Sequence, residues 1–207
     1  MLFVPPELTT IAKMIERGDV PHIVPEAERL ASLGSTGAKA FLAYLEMTGM
    51  VSGVPRYDRA QLFAIESAQS GNSFGHYVLG WIRLAQARRA EAFKHMFEAA
   101  KQLFLPAIVD VGRFIAMGVG VKQADVLAAE RALLQAHGLG HRGALVFLMK
   151  LYRTGARGPG HRILGVIGYP YAAIRRTIFA SRTPFSEKVF AYSSSVASKI
   201  AALNGSM

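Results

Sequence analysis

Read for the spacing of its apolar side chains, the chain divides into stretches in which a helix-like run rich in small residues precedes a second run carrying a bulky apolar stripe. Four such stretches stand at residues 26–49, 58–85, 90–118 and 125–155. Alanines 31, 68, 100 and 136 place them in register, with steps of 37, 32 and 36 residues. Seven positions after each alanine stands Ala38, Gly75, Ala107 or Gly143, and eleven after it Leu42, Leu79, Val111 or Phe147. A small residue lets two helices approach, and a bulky one a turn further on fills the groove between repeats. Breakers fall between the runs: Gly34 and Gly37, Gly53 and Pro55, Gly71, Pro106 at a helix start, Gly118 and Gly120, Gly138 and Gly140. A further helix is expected near residues 8–17. No long window alternates at strand spacing, so no sheet is expected.

The segment Ala60-Gln-Leu-Phe-Ala-Ile-Glu-Ser-Ala-Gln-Ser-Gly-Asn-Ser-Phe-Gly-His-Tyr-Val-Leu-Gly80 resembles a Sel-one-like repeat, a relative of the tetratricopeptide repeat. Echoes of it are Ala31-Ser-Leu-Gly34 with Ala38, Leu42 and Tyr44, then Ala99-Ala100 with Ala107 and Val111-Gly112, then Ala136 with Gly143 and Leu151-Tyr152. Two departures stand out: Gln86-Ala-Arg-Arg89 replaces the closing glycine-rich turn of the second unit, and Leu103 stands where glycine is usual. The resemblance covers roughly residues 25–155 and implies an all-α fold, a right-handed solenoid of about four antiparallel helix pairs with a helical C-terminal extension. The corresponding divisions are 1–24 (N-terminal helix and linker), 25–158 (repeat array) and 159–207 (basic, partly apolar extension). It further implies an adaptor that holds other proteins on a concave helical surface. In stacked hairpins the first helix of each pair lines that surface, which makes Arg59, Gln61, Glu66, Lys94, Glu98 and Arg131 candidate partner contacts, although an ordinary solvated face carries the same residue types.

Composition changes this picture in one respect. With 51% hydrophobic and 18% charged residues among 207, the chain is too apolar for disorder, and the lack of cysteine excludes disulfides, cysteine-ligated metal and thiol catalysis. The start lacks the basic, uninterrupted apolar pattern of a secretory signal, and no window of eighteen apolar residues offers a membrane span. The net charge of +10, however, is concentrated. Residues 1–141 hold 14 Lys and Arg against 13 acids, whereas residues 142–207 hold 10 against Glu187 alone. Inside that basic third lies an uncharged run, residues 163–174, in which Gly165, Gly168 and Pro170 are expected to break or kink a helix. The run fits a cap on the repeat array, a membrane-surface contact or a docking element for an acidic protein. Candidate contacts are Arg157, Arg162, Tyr169, Tyr171, Arg175, Arg176 and Arg182. A nucleic-acid partner is not expected, because no recognition module is legible.

Catalytic chemistry finds no foothold. His137 and His141 have a metal-like spacing, but the intervening Gly138 and Gly140 put a turn between them, so capping or surface roles are expected and no metal. Glu26 and Glu28 point to different sides of a helix. Asp110, between Val109 and Val111, reads as a hydrogen-bonded core acid. The glycines at 155, 158 and 160 form a linker without the lysine–hydroxyl ending of a phosphate loop, and Ser67, Ser70, Ser73 and Trp81 have no activating partner at useful spacing. The expectation is a non-enzymatic adaptor of bacterial type without a cofactor. It is expected in the cytoplasm, docking at the inner membrane face through its basic end. The resemblance implies a setting in an envelope polysaccharide or signalling assembly. Its rivals are an accessory subunit whose C-terminal segment inserts into a catalytic partner, and a lipid- or phosphate-binding enzyme using the arginine-rich end.

Overall fold

The computed structural model describes residues 8–182, apart from the side chains of residues 20, 142, 176 and 178–182. Among the described residues there are ten α-helices and no strand. They form two compact units. The first contains α1 (Thr9–Arg17), α2 (Val20–Ser32), α3 (Thr36–Thr48), α4 (Tyr57–Gln69), α5 (Ser73–Ala85) and α6 (Arg89–Lys101). The second contains α7 (Leu105–Met117), α8 (Val126–Gly138), α9 (Arg142–Arg153) and α10 (Pro159–Arg182). Within each unit every helix packs against the next. The expected runs become helices at their expected places. One start differs: α2 begins at Val20, ahead of residue 26, with Pro21 tolerated in the first turn, where N–H groups have no intrahelical acceptor.

Four helices end in one turn. Past the ends of α2, α4, α6 and α8 stand Gly34, Gly71, Leu103 and Gly140, all with positive φ (91°, 77°, 59° and 103°). In each case the N–H of that residue and of the next return to carbonyls of the last helical turn, as in Gly34 to Ala31 and Ser35 to Leu30, or Leu103 to Ala100 and Phe104 to Ala99. The two departures from the repeat pattern therefore keep the backbone of the pattern: Leu103, and likewise Ala87 (φ 60°) after α5, are held in the left-handed region at a cost of roughly 1 kcal/mol each.

The same turn corrects the register of the last repeat. Ser35 Oγ, Asn72 Oδ1 and His141 Nδ1 accept hydrogen bonds from the backbone N–H of Ala38, Gly75 and Ala144, each at 3.1 Å. The small and bulky positions of the fourth repeat are thus Ala144 and Leu148, both buried, and not Gly143 and Phe147. The sequence register slips by one because two small residues stand side by side at 143 and 144.

Packing explains why the small positions matter. The first helices present alanines to their neighbours, Ala60, Ala64 and Ala68 on α4 and Ala92 and Ala99 on α6, while α3 and α5 supply Phe41, Leu42, Leu45, Val78, Leu79 and Ile82. At the tightest crossing a Cβ on Gly75 would lie 2.4 Å from Ser67 Oγ and 2.8 Å from Ala68 N. Ser67, fully buried, donates from Oγ to the carbonyl of Thr36 at 2.8 Å and so ties α4 to the first turn of α3. Gly80 against Met96 and Ala92, and Gly112 against Leu133 and Ala129, repeat the close approach at 3.0–3.3 Å.

α10 supplies the expected helical extension without the expected break. Gly165, Gly168 and Pro170 do not break it, and it runs for 24 residues. The glycines serve as contact points: a Cβ on Gly165 would meet Arg153 N at 2.6 Å and Met149 O at 2.8 Å, and one on Gly168 would meet Met149 Sδ at 2.6 Å. Pro170 and Val166 are exposed, so the carbonyl that the proline leaves without a donor is open to water. No helix among the described residues is long and apolar enough to cross a membrane.

Opposite effects are expected at two turn and contact positions. Gly75→Ala loses about 2 kcal/mol of stability despite the helix propensity of alanine, through the clash with Ser67; Ala87→Gly gains about 0.5–1 kcal/mol by relieving its left-handed φ. Urea unfolding midpoints at constant m-value measure both.

Candidate interaction surface

Charge separates the two units. Residues 8–104 carry eleven Lys and Arg against nine acids, while residues 105–182 carry eleven against three. All three acids among the described residues of the second unit are engaged within it. Asp110, buried, pairs with Arg113 Nη1 at 2.7 Å, as expected of a core acid. Asp125 Oδ1 accepts from Ala128 N and caps α8. Glu130, buried, accepts from Tyr152 Oη at 2.5 Å and from Arg157 Nε at 2.6 Å. These bonds, the tyrosine's first, hold the Glu130 carboxyl below its ordinary range, and burial with help from Glu130 pushes the Tyr152 phenol up to about 12. From residue 131 to 182 there is no acid at all.

α10 puts an apolar row beside this surplus. Its small residues Gly165, Gly168 and Ala172 face inward, Gly165 and Gly168 against α9, while Leu164, Ile167, Tyr171 and Ile174 follow at 3-4-3 spacing on the outer face and are 51–71% exposed. Ile163 and Val166 widen the row. Arg162 and Arg175 flank it, both exposed, and Arg175 Nη1 donates to Tyr171 Oη at 3.1 Å. Tyr169 turns the other way. It lies half-buried with the Arg153 guanidinium 4.8 Å and the Lys150 ammonium 6.0 Å from its ring centroid. Of the expected contacts in this region, Arg162, Tyr171 and Arg175 border one face, Tyr169 lies against α9, and Arg157 is committed to Glu130. The side chains of Arg176 and Arg182 lie outside the described residues.

In the first unit the candidate contacts lie on α4 and α6, and most are bonded to neighbours. Arg59 Nε reaches buried Glu46 Oε1 at 3.1 Å, and its Nη2 reaches Glu28 at 3.6 Å. Gln61 Oε1 accepts from Arg83 Nη1 at 2.7 Å and Gln86 Nε2 at 2.9 Å. Glu66 pairs with Lys39 at 2.7 Å and Glu98 with Lys101 at 3.0 Å. Lys94, and Arg131 on α8, are exposed. Four of the six thus hold helices or turns in place.

Two features escape a linear reading. Glu46 is buried with Oε2 lacking a hydrogen-bond partner among the described residues, so Arg59 is its counter-charge. His76 on α5 and His95 on α6 bring their Nδ1 atoms to 3.2 Å, one donating and the other accepting. Burial lowers the basicity of both. For His95 the facing His76, Arg83 and Lys94 add to this; Glu98 opposes it at His76 and Glu91 at His95. His137 and His141 do not converge on a metal: His141 spends Nδ1 on capping α9, and His137 is exposed on the last turn of α8.

The histidine pair sets a pH dependence. Both are harder to protonate in the fold than in the unfolded chain, so the unfolded chain binds more protons once the pH drops below the ordinary histidine range. Stability is therefore full above that range and falls as the pH drops from 7 to 5, before carboxylates titrate. Thermal midpoints of the parent and of His95→Phe over this interval measure it: the parent is expected to lose more, and parallel curves would show that the pair is not the source.

No family profile matches the sequence, and no curated protein sequence matches it significantly. Solved structures do. A Sel1 repeat protein from Oxalobacter formigenes superposes with a TM-score of 0.63 at 20% identity, over 80% of this chain and 70% of that one. A protective antigen of uropathogenic Escherichia coli displaying an SLR fold gives 0.62 at 18% identity over 79% of this chain, which spans only 40% of that protein. The comparison bears out the resemblance read from Ala60 to Gly80: this chain has the fold of the Sel1-like helical repeat proteins.

Proposed function

We propose that the chain is a non-enzymatic scaffold that binds a protein through its helical repeats and rests on an anionic membrane surface through α10. The fold supports the general part of this reading, since stacked helix pairs offer side chains in rows to a partner. One observation carries the membrane part, the exposed row Leu164, Ile167, Tyr171 and Ile174 bordered by Arg162 and Arg175 in a unit whose described acids are all spent internally. An interfacial helix needs such an apolar face for the acyl boundary and cations for the headgroups. Each arginine near an anionic surface adds about 1 kcal/mol. The protein contacts proposed are the exposed groups of the first helices, Lys94 and Arg131 foremost, with Arg59, Gln61, Glu66 and Glu98 able to exchange internal partners for external ones. A cytoplasmic platform for an envelope polysaccharide or signalling assembly agrees with this arrangement and rests on the sequence resemblance.

Co-sedimentation of the full chain with anionic and with zwitterionic vesicles tests the membrane part. Binding is expected only to the anionic vesicles and is expected to weaken at high salt. Ile167→Glu combined with Ile174→Glu, both on the exposed face, is expected to lower it at least about tenfold with an unchanged melting temperature. Equal sedimentation of parent and variant would exclude α10 as the contact.

A further inference from the structure

We propose that a cavity in the second unit binds a phosphate group, carried by an anionic lipid headgroup or by a soluble phosphomonoester; the lipid source rests on the membrane reading above, whereas the cavity does not. The cavity, about 150 Å³, is lined by His137 of α8, Gly140 of the following turn, Leu145 of α9, and Ala172 and Arg175 of α10. That is several times the roughly 30 Å³ occupied by a water molecule, so a tetrahedral oxyanion fits together with solvent.

The chemistry of the wall selects an anion. Arg175 spends one N–H on Tyr171 Oη, which steadies the guanidinium, and no carboxylate among the described residues pairs with it. Its remaining donors form the planar fork that matches two oxygens of a phosphate. His137 lines the same cavity from a separate helix and carries a ring N–H that can serve as a second donor. Leu145 and Ala172 give the cavity apolar sides, which strengthen a charge-assisted hydrogen bond made between them. No acid occurs between residues 131 and 182, and Glu130 is occupied by Tyr152 and Arg157, so among the described residues no carboxylate lines the cavity to repel a doubly charged ligand. The residue that steadies Arg175, Tyr171, belongs to the exposed apolar row of α10, which places this cation beside the face proposed to meet lipid.

The test uses the full chain and its Arg175→Met variant, which keeps the aliphatic stem. The ring resonances of His137 are followed while inorganic phosphate is titrated, and flotation is measured with vesicles containing phosphatidic acid or phosphatidylserine matched for surface charge. Phosphate-dependent shifts of His137 in the parent that are lost in the variant support the site, with a soluble source if vesicles are not bound at all; in that case the membrane reading fails and the cavity stands. A preference of about tenfold for phosphatidic acid, lost in the variant, supports the site with a lipid source. Equal flotation on both lipids together with silent His137 resonances overturns the site while leaving membrane docking intact. Variant behaviour identical to the parent in both measurements also overturns it.

Discussion

The architecture depends on how closely helix backbones approach at a few small residues. At Gly75 there is no room for one more carbon before Ser67 and the Ala68 amide, and at Gly165 none before the backbone of α9. Each crossing fixes what surrounds it. Ser67 is close enough to bond the Thr36 carbonyl, alanines line the facing helix, and the bulky side chains are displaced to the flanks, where they fill the space between neighbours. Because the approach is set by packing, the connecting turns tolerate poor chemistry: Leu103 takes the left-handed conformation that Gly34, Gly71 and Gly140 adopt freely.

This explains what was legible in the sequence. The small and bulky offsets are a direct image of the crossings, so the helix pairs, their turns and the Sel1-like fold could be read from Ala31, Ala68 and Ala100 onward. The reading slipped by one at the last repeat, where Gly143 and Ala144 are both small and only the cap from His141 distinguishes them. At α10 the helical extension stands, and the expected break is absent for a related reason. Glycine and proline read as breakers in a linear sequence, but Gly165 and Gly168 are small for the same purpose as Gly75, and Pro170 sits on the exposed side, where the carbonyl it leaves free is open to solvent.

Contacts between helices were beyond a linear reading. His76 meets His95, Arg59 meets Glu46, and Glu130 meets Tyr152 and Arg157 across separations that no motif spans. They alter the candidate surface more than the fold. Arg59, Gln61, Glu66 and Glu98 look available in the sequence and are bonded in the structure, because a first unit that is nearly charge-balanced pairs most of what it has; Arg157, in the second unit, is taken up by the buried Glu130. Among the described residues of the second unit eleven bases face three acids, pairing runs out, and two of the surplus, Arg162 and Arg175, flank the apolar row that α10 displays. Surplus charge and unburied apolar area in the same place are the physical case for a contact there.

α10 is the proposed docking face. Amide hydrogen exchange of the full chain, with and without anionic vesicles, addresses it most directly, because it locates the contact without altering a residue. Slower exchange confined to α10 and the adjoining turns is the predicted result. Protection spread over α4 and α6 with α10 unchanged, or no protection anywhere at vesicle concentrations that sediment the chain, would contradict it.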